Sequence, residues 1–172
     1  MLYDRDLLDA IDAARPDSFK GAVWRVTIGT NPPIRPNTRG ARWNPPGTVA
    51  IYASLDKEVA VAEIRNLLAT QPVPPSVTLT LHKLEVDLDP VADFRDMTQL
   101  LTVGITQDEL TSSDLTVCQN VGGAAAWLGR AGLLVPSARA QGANLVVYIN
   151  EMDPEAGLDV VSSQRLDLSE SE

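Results

Sequence analysis

The sequence is poor in metal ligands and in reactive sulfur, because it has one cysteine, Cys118, and one histidine, His82. A single cysteine forms no intrachain disulfide, and these two residues are too few for a zinc site, so we expect no bound metal. No histidine motif adjoins Cys118, which argues against a nucleophilic role. We expect His82 to be a surface residue or one whose hydrogen bonds are satisfied.

Long apolar runs and a secretion signal are also missing. The longest apolar stretches, such as 133–135 and 145–149, fall far short of the roughly 20 residues that span a bilayer. The first six residues contain acidic side chains where a secretory signal has basic ones. We therefore expect a soluble, cytoplasmic protein with no membrane segment.

Basic residues are outnumbered, with 14 Lys and Arg against 23 Asp and Glu and a formal net charge of -9, which argues against direct nucleic-acid binding. Two long runs, 19–55 and 116–150, nevertheless contain no acidic residue. The first run has five basic residues and the second has two: Lys20, Arg25, Arg35, Arg39 and Arg42, then Arg130 and Arg139. We interpret the two runs as two walls of one anion pocket, with chance clustering on a solvated face as the alternative.

Length and patterning predict a single α+β domain over residues 1–172, with a central mixed β-sheet, a core at about 23–150 and an acidic C-terminal tail at about 165–172. Prolines at 72, 74 and 75 predict a break, and we expect 93–114 to be surface structure. The expected helices lie at 3–14, 57–68 and 120–130, and the expected strands at 23–28, 47–53, 77–88 (long, with a bulge), 133–135 and 145–149.

Glu63 is the most informative polar residue. In the helix predicted at 57–68 it shares a face with Val59, Ala60 and Leu67, which places a carboxylate on or beside the buried stripe. One explanation is a salt bridge with an arginine of the first acid-free run. The other is a carboxylate that faces a cleft, accepts a sugar hydroxyl and stabilises positive charge in a transition state.

Other candidates flank this helix in the sequence. Arg42 precedes a turn beginning Trp43-Asn44, whose backbone amides and guanidinium suit a pyrophosphate, although an ordinary turn with a surface arginine fits as well. Tyr52 ends a strand, where its ring either stacks on a heterocycle or lies in the core. Arg25 lies within a strand, and Ser137 begins a loop where it either donates to a ribose or phosphate or shapes the turn.

Four blocks in order carry a family resemblance: Gly40-Ala41-Arg42-Trp43-Asn44-Pro45, then Ile51-Tyr52-Ala53-Ser54, then Ala60-Val61-Ala62-Glu63, and Leu134-Val135-Pro136-Ser137-Ala138-Arg139. Together they resemble the RES domain, named for an arginine, a glutamate and a serine. The resemblance runs from about residue 23 to 149 and implies a toxin of a bacterial toxin–antitoxin pair, with activity against NAD and a fold similar to the ADP-ribosyltransferase toxins.

The resemblance also implies site residues. Arg42, Glu63 and Ser137 match the family arginine, glutamate and serine, and Tyr52 and Arg25 match recurrent site positions, whereas Arg39 stands where the family commonly has a small residue. We expect Glu63, Arg42 and Tyr52 to be catalytic. The expected substrate-binding residues are Arg25, Ser137, Arg39 and Asn44. Arg25 and Arg42 are expected to bind the pyrophosphate, Tyr52 the nicotinamide end, and Glu63 an oxocarbenium-like ribose. NAD is expected as a substrate and no cofactor is expected, because the glycine motif of dinucleotide-binding folds is absent.

The acceptor of the ribosyl group and the partners stay open. Position 61 is valine, so the acid-x-acid pair of arginine-directed transferases is absent, which favours hydrolysis or phosphorolysis over ADP-ribosylation of a host protein. A non-catalytic module that binds a nucleotide or a partner is the further alternative. The resemblance implies a DNA-binding antitoxin of the Xre type as partner, with a possible homodimer within the complex.

Overall fold

The structure is a computed structural model that describes residues 2–14, 16–71, 76–153 and 156–169. The predicted proline break at 72–75 and the end of the acidic tail, 170–172, lie outside the described residues. Across the described ranges, none of the helices has the length and apolar character needed to cross a membrane.

The predicted mixed α+β domain is confirmed. In chain order the elements are α1 Arg5–Ala13, β1 Asp17–Ile28, β2 Ala50–Ser54, α2 Lys57–Thr70, β3 Leu79–Asp93, α3 Met97–Thr102, α4 Gln107–Thr111, α5 Thr116–Trp127, β4 Gly132–Pro136, β5 Ala143–Tyr148, a 3₁₀ turn Ile149–Glu151, and β6 Gly157–Leu166. Residues 165 and 166, expected in the tail, are therefore the last residues of a strand.

The six strands form one mixed sheet in the order β1-β2-β5-β4-β3-β6. β1 also pairs with β3, so the first five strands close into a barrel and β6 lies outside it along β3. The β3–β4 pair is parallel and the other pairs are antiparallel. The link between β1 and β2 is narrow, because only Trp24 and Ser54 are in register there.

Two apolar clusters form the core. One contains inward-facing residues of the closed sheet, among them Val23, Leu88 and Leu145. The other lies where α1, α3, α4 and α5 cover the outer face of β2, β4 and β5. Helix α2 packs separately against β1 and β2, and this placement brings its polar face beside the ends of those strands.

The expectation that 93–114 is surface structure was wrong. Phe94, Leu100, Ile105 and Leu110 are buried in the helical cluster. Helices α3 and α4 have only six and five residues, so neither is long enough to display a helical repeat of apolar residues.

The long strand expected across 77–88 is present as β3. Its buried side chains change face along the strand: Leu79 and Leu81 are buried on one face, and the residues buried from His82 onwards begin on the other.

β3 has two register shifts. Against β6 the shift lies between Lys83 and Leu84, and the extra residue, Val161, is in β6. Against β1 the pair Phe19–Leu88 is followed by Asp17–Val91, so the extra residue is in β3, just beyond the predicted range 77–88.

The glycines of α5 permit a close approach between this helix and the loop that precedes β2. A Cβ atom at Gly122 would collide with the carbonyl of Trp43, and one at Gly123 with the hydroxyl of Tyr3. Tyr148 donates to the same Trp43 carbonyl, with an O···O distance of 2.8 Å. The loop therefore rests directly on the backbone of α5.

We predict that Gly122→Ala lowers the free energy of unfolding by about 1–3 kcal/mol, because the added methyl group forces the Trp43 loop away from α5. Helix propensity alone favours alanine by about 1 kcal/mol, so a loss identifies the steric cause. Urea denaturation measures the difference. Gly21→Ala is the control, since its Cβ would meet only the Phe19 ring at 3.8 Å. Equal stability of Gly122→Ala and the parent would contradict the prediction.

Candidate active site

A cleft of about 350 Å³ opens between α2 and the ends of β1, β2 and β5. The two acid-free runs meet there, because residues 24–54 come from the first run and Asn144 from the second. Its lining combines apolar and polar side chains: Trp24, Arg25, Val26, Tyr52, Ala53, Ser54, Ala60, Glu63, Ile64, Leu67 and Asn144. The volume is within the usual range for small-molecule sites.

Glu63 is half-buried on α2, and it is the only acidic residue among the described residues that line this cleft. Its Oε1 accepts hydrogen bonds from Ser137 Oγ at 2.6 Å and from Asn144 Nδ2 at 3.0 Å. Within the described part of the chain, Oε2 has no hydrogen-bond partner and no Lys or Arg forms an ion pair with Glu63. The salt bridge considered for Glu63 is therefore not formed by these residues.

Ser137 lies in the loop after β4 and is buried. Its Oγ accepts hydrogen bonds from the backbone N–H groups of Arg139 and Ala140, both at 3.1 Å. Because the oxygen already accepts two bonds, the hydroxyl proton is directed at Glu63. Ser137 thus shapes its turn, as one interpretation of the sequence expected, and its hydroxyl donates to the Glu63 carboxylate.

Asn144 on β5 and Ser54 on β2 are contacts that the sequence reasoning missed. They are register partners in the sheet, and Ser54 Oγ donates to Asn144 Oδ1 at 2.9 Å. The sequence contained one signal for Asn144: it is an asparagine at the start of a strongly β-prone segment in the second acid-free run, and asparagine is uncommon in strands. Its partner Ser54 is 90 residues away in the chain, so their pairing was not visible.

Arg25 on β1 is held by carbonyl groups. Nη1 donates to the Tyr52 carbonyl at 2.7 Å and Nη2 to the Arg35 carbonyl at 3.3 Å, while Nε is buried without a hydrogen-bond partner among the described residues. Burial lowers the pKa of Arg25. The guanidinium remains charged, because arginine titrates far above neutral pH, and neutral groups hold it at the cleft.

A second cleft of about 390 Å³ adjoins the first and shares four lining residues with it: Arg25, Val26, Ile64 and Leu67. The loop 29–40 forms its wall, and Asn37 in this loop exchanges both backbone hydrogen bonds with Ala50, at 2.7 and 3.1 Å. Its polar lining includes three arginines and no acidic residue among the described ones: Arg25, Arg35, Arg39, Thr27, Asn31, Asn37 and Thr38. Arg39 therefore lies in this neighbouring cleft.

Tyr52 lines the first cleft, but its hydroxyl is engaged in the turn at 41–44. The hydroxyl donates to Asn44 Oδ1 at 2.6 Å and accepts from the Trp43 N–H at 2.9 Å, and burial raises the pKa of this phenol. Asn44 is itself buried and donates to the Thr48 carbonyl at 2.8 Å. Asn44 thus builds the turn.

Arg42 lines neither of these two clefts. Its Nη1 donates to the Ser112 carbonyl at 3.0 Å, on the side where Tyr52 contacts the helical cluster. Cys118 nearby is buried, and desolvation raises the pKa of its thiol, which disfavours the nucleophilic thiolate. The structure thus brings Glu63, Ser137, Arg25 and Tyr52 to one cleft, whereas Arg42 lies near Tyr52 without lining that cleft.

His82 lies behind the second cleft and is buried. Its ring contacts the hydroxyl of Thr27 at 2.8 Å and that of Ser163 at 2.7 Å, so both ring nitrogens have partners, as the sequence reasoning expected of a satisfied histidine. The described residues contain no group of three or more His, Cys, Asp or Glu side chains that is suited to a metal ion.

We predict that Tyr52→Phe lowers the free energy of unfolding by about 1–3 kcal/mol, because the Asn44 oxygen and the Trp43 N–H both lose their partner in a buried turn. Thermal and urea unfolding measure the change. Tyr3→Phe is the matched control, since the Tyr3 hydroxyl makes no hydrogen bond within the described residues, and its stability should change little. A Tyr52→Phe protein as stable as the parent would refute this role of the hydroxyl.

Known proteins resemble this chain in sequence and in fold. The NAD(+) phosphorylase MbcT of Mycobacterium tuberculosis is 29% identical over 159 residues, which cover 88% of this chain and 86% of the relative. The protein of the same name from Mycobacterium bovis gives the same values. A chain in the crystal structure of the M. tuberculosis MbcT–MbcA toxin–antitoxin complex superposes with a TM-score of 0.85 at 28% identity, covering 96% of this chain and 94% of that one. The RES domain model matches residues 22–169, and the chain therefore belongs to the RES domain family.

Proposed function

We propose that this protein is the toxin of a bacterial toxin–antitoxin pair and degrades NAD+ by cleaving the bond between nicotinamide and ribose. The observation that carries the proposal is the carboxylate of Glu63, which two neutral donors hold at one oxygen while the other oxygen is left for a ligand in the cleft. The likeness to MbcT, which is named an NAD(+) phosphorylase, supports the same activity.

The carboxylate suits the charge that develops during the cleavage. As the C1′–N bond breaks, its electron pair moves to the nicotinamide nitrogen and positive charge accumulates on the ribose. Glu63 Oε2 accepts a ribose hydroxyl and stabilises that charge, and its effect is strong because the site is partly shielded from water. Tyr52 and Trp24 provide the aromatic surface for nicotinamide at the same cleft.

The phosphates of NAD+ fit the arginine-lined second cleft. Arg25 lies at the junction of the two clefts, has a buried N–H without a partner among the described residues, and forms no ion pair with a described carboxylate. We assign the pyrophosphate contact to Arg25, with Arg39 and Arg35 beside it. Arg42 supports the site from the far side of Tyr52, through its bond to Ser112.

Inorganic phosphate is the acceptor we favour. An oxygen of phosphate forms the new bond to C1′ as nicotinamide leaves, which gives ADP-ribose 1″-phosphate, whereas water would give ADP-ribose and a proton. The name of the MbcT relatives supports phosphate. Val61, two residues before Glu63, is buried and apolar, so the second carboxylate of arginine-directed transferases has no counterpart there. NAD+ is a substrate in this proposal, and the protein needs no cofactor.

We also propose a relationship of this fold with the ADP-ribosyltransferase toxins. The cleft that contains Glu63 beside a mixed sheet supports it.

The proposed partner is a protein antitoxin of the DNA-binding Xre type. The solved relative is in a complex with an antitoxin, which supports such a partner for this chain. A net charge of -9 leaves contact with DNA to that partner. We also propose that the protein acts in the cytoplasm, with which its free cysteine, Cys118, is compatible.

We predict that Glu63→Gln lowers the kcat for nicotinamide release from NAD+ by about 100-fold or more, because the amide keeps the shape of the side chain and removes its charge. Its side-chain oxygen can still accept from Ser137 and Asn144, so folding is preserved. Nicotinamide is quantified by chromatography. Glu58→Gln, an exposed glutamate of the same helix, is the matched control and should retain the parent rate. Full activity of Glu63→Gln would sink the site assignment.

We predict that the rate of NAD+ consumption by the parent rises with phosphate concentration to a plateau, and that ADP-ribose 1″-phosphate is the product. Mass spectrometry of reactions in phosphate and in phosphate-free buffer separates the acceptors. ADP-ribose at a phosphate-independent rate would indicate hydrolysis, and labelled ADP-ribose on a protein from cell lysate would indicate transfer. Tight NAD+ binding with no turnover would leave only a binding module.

A further inference from the structure

The two oxygens of the Glu63 carboxylate are in unequal surroundings. Oε1 accepts from Ser137 and from Asn144, while Oε2 has no partner among the described residues. Three separate parts of the fold meet at Oε1, because Glu63 is on α2, Ser137 follows β4 and Asn144 is on β5. The arrangement fixes which oxygen is free for a ligand.

The Asn144 side chain has one orientation that satisfies its neighbours. A carboxylate only accepts hydrogen bonds, so the amide NH₂ must face Glu63. The amide oxygen then faces Ser54, whose hydroxyl donates to it at 2.9 Å. Ser54 is buried, and its backbone is in register with Trp24 on one side and Asn144 on the other. The sheet therefore fixes the position of Ser54, and the hydrogen bond from Ser54 fixes the orientation of the Asn144 amide.

We propose that Asn144 is a positioning residue for the reaction: anchored by Ser54, it holds the Glu63 carboxylate so that Oε2 faces the ribose of the bound dinucleotide. This inference rests on the proposed cleavage of NAD+. Asn144 stabilises the geometry of the charged group through a neutral donor, which leaves the negative charge of Glu63 intact for the transition state. Asn144 therefore affects the rate of the chemical step, kcat, whereas the binding of NAD+ depends mainly on other residues of the clefts.

The first test separates kcat from KM in Asn144→Ala. We expect kcat to fall about 10-fold to 100-fold, because a reacting group displaced by about 1 Å loses on the order of 100-fold in rate. KM for NAD+ should change by less than about threefold, because ground-state binding is largely retained. Asn66→Ala, an exposed asparagine on α2, is the matched control and should behave as the parent. A kcat equal to that of the parent would overturn the proposal.

The isosteric variant Asn144→Asp distinguishes positioning from packing. It conserves the volume and replaces the donor to Oε1 by a second carboxylate. We expect a larger loss of kcat than in Asn144→Ala, since repulsion displaces Glu63. If the residue only filled space, aspartate would be the milder change, and that result would overturn the proposal.

A double-mutant cycle tests the role of Ser54. Ser54→Ala frees the amide to rotate and should lower kcat by about 3-fold to 10-fold, again with KM nearly unchanged. If Ser54 acts through Asn144, the double variant is no slower than Asn144→Ala alone. Multiplicative losses would show that Ser54 acts independently. If Asn144→Ala fails to fold, the kcat and KM of Ser54→Ala still test the proposal.

A measurement that needs no turnover keeps the inference apart from the proposed function. In NMR spectra of the parent, the side-chain NH₂ of Asn144 should exchange slowly with solvent and should shift in Ser54→Ala and in Glu63→Gln, but not in Asn66→Ala. If the parent does not consume NAD+ yet these shifts appear, the proposed function fails and the positioning contact stands. Unshifted resonances in Glu63→Gln would overturn the contact itself.

Discussion

The partly buried carboxylate of Glu63 is the constraint on which the site depends. Removing an ionised group from water is costly unless hydrogen bonds or an opposite charge replace the lost hydration. Here a hydroxyl and an amide provide that replacement at 2.6 and 3.0 Å. An arginine in the same place would also have stabilised the carboxylate, but it would have neutralised the field that the site directs at the cleft. Neutral donors keep Glu63 in place with its charge undiminished.

Arg25 is a positive charge that is likewise held by neutral groups. Its guanidinium is bound by the carbonyls of Tyr52 and Arg35, which are dipoles without net charge. Glu63 and Arg25 therefore lie at one cleft, each held by neutral groups and available to a ligand. A dinucleotide with a ribose that becomes cationic and a pyrophosphate that is anionic matches this pair.

Sequence reasoning succeeded where a local pattern was long enough to be recognised. The repeat of α2 placed Glu63 beside the buried stripe, and the alternation of β3 predicted a strand that is 15 residues long in the structure. It failed where the outcome depends on long-range register. The contact of Ser54 with Asn144 follows from the pairing of β2 with β5. The burial of Phe94 was not predicted because the helices that follow it, α3 and α4, are too short to show an apolar period.

The position of Arg42 depends on the same long-range packing. The turn that carries it is bound to α5 and β5 through atoms that no local pattern reveals: Gln119 donates to the Ala41 carbonyl, Tyr148 to the Trp43 carbonyl, and the Trp43 N–H donates to Tyr52. With the neighbouring backbone groups engaged and Gly122 allowing the helix to approach, the turn has little freedom to swing Arg42 towards the cleft. The same turn binds the Tyr52 hydroxyl through the Trp43 N–H and the Asn44 side chain, and the Tyr52 ring lines the cleft. Arg42, which is part of the family motif, and Arg25, to which we assign the pyrophosphate contact, are thus separate residues on either side of Tyr52. The Tyr52 hydroxyl binds the turn that carries Arg42, and the Tyr52 carbonyl binds Arg25.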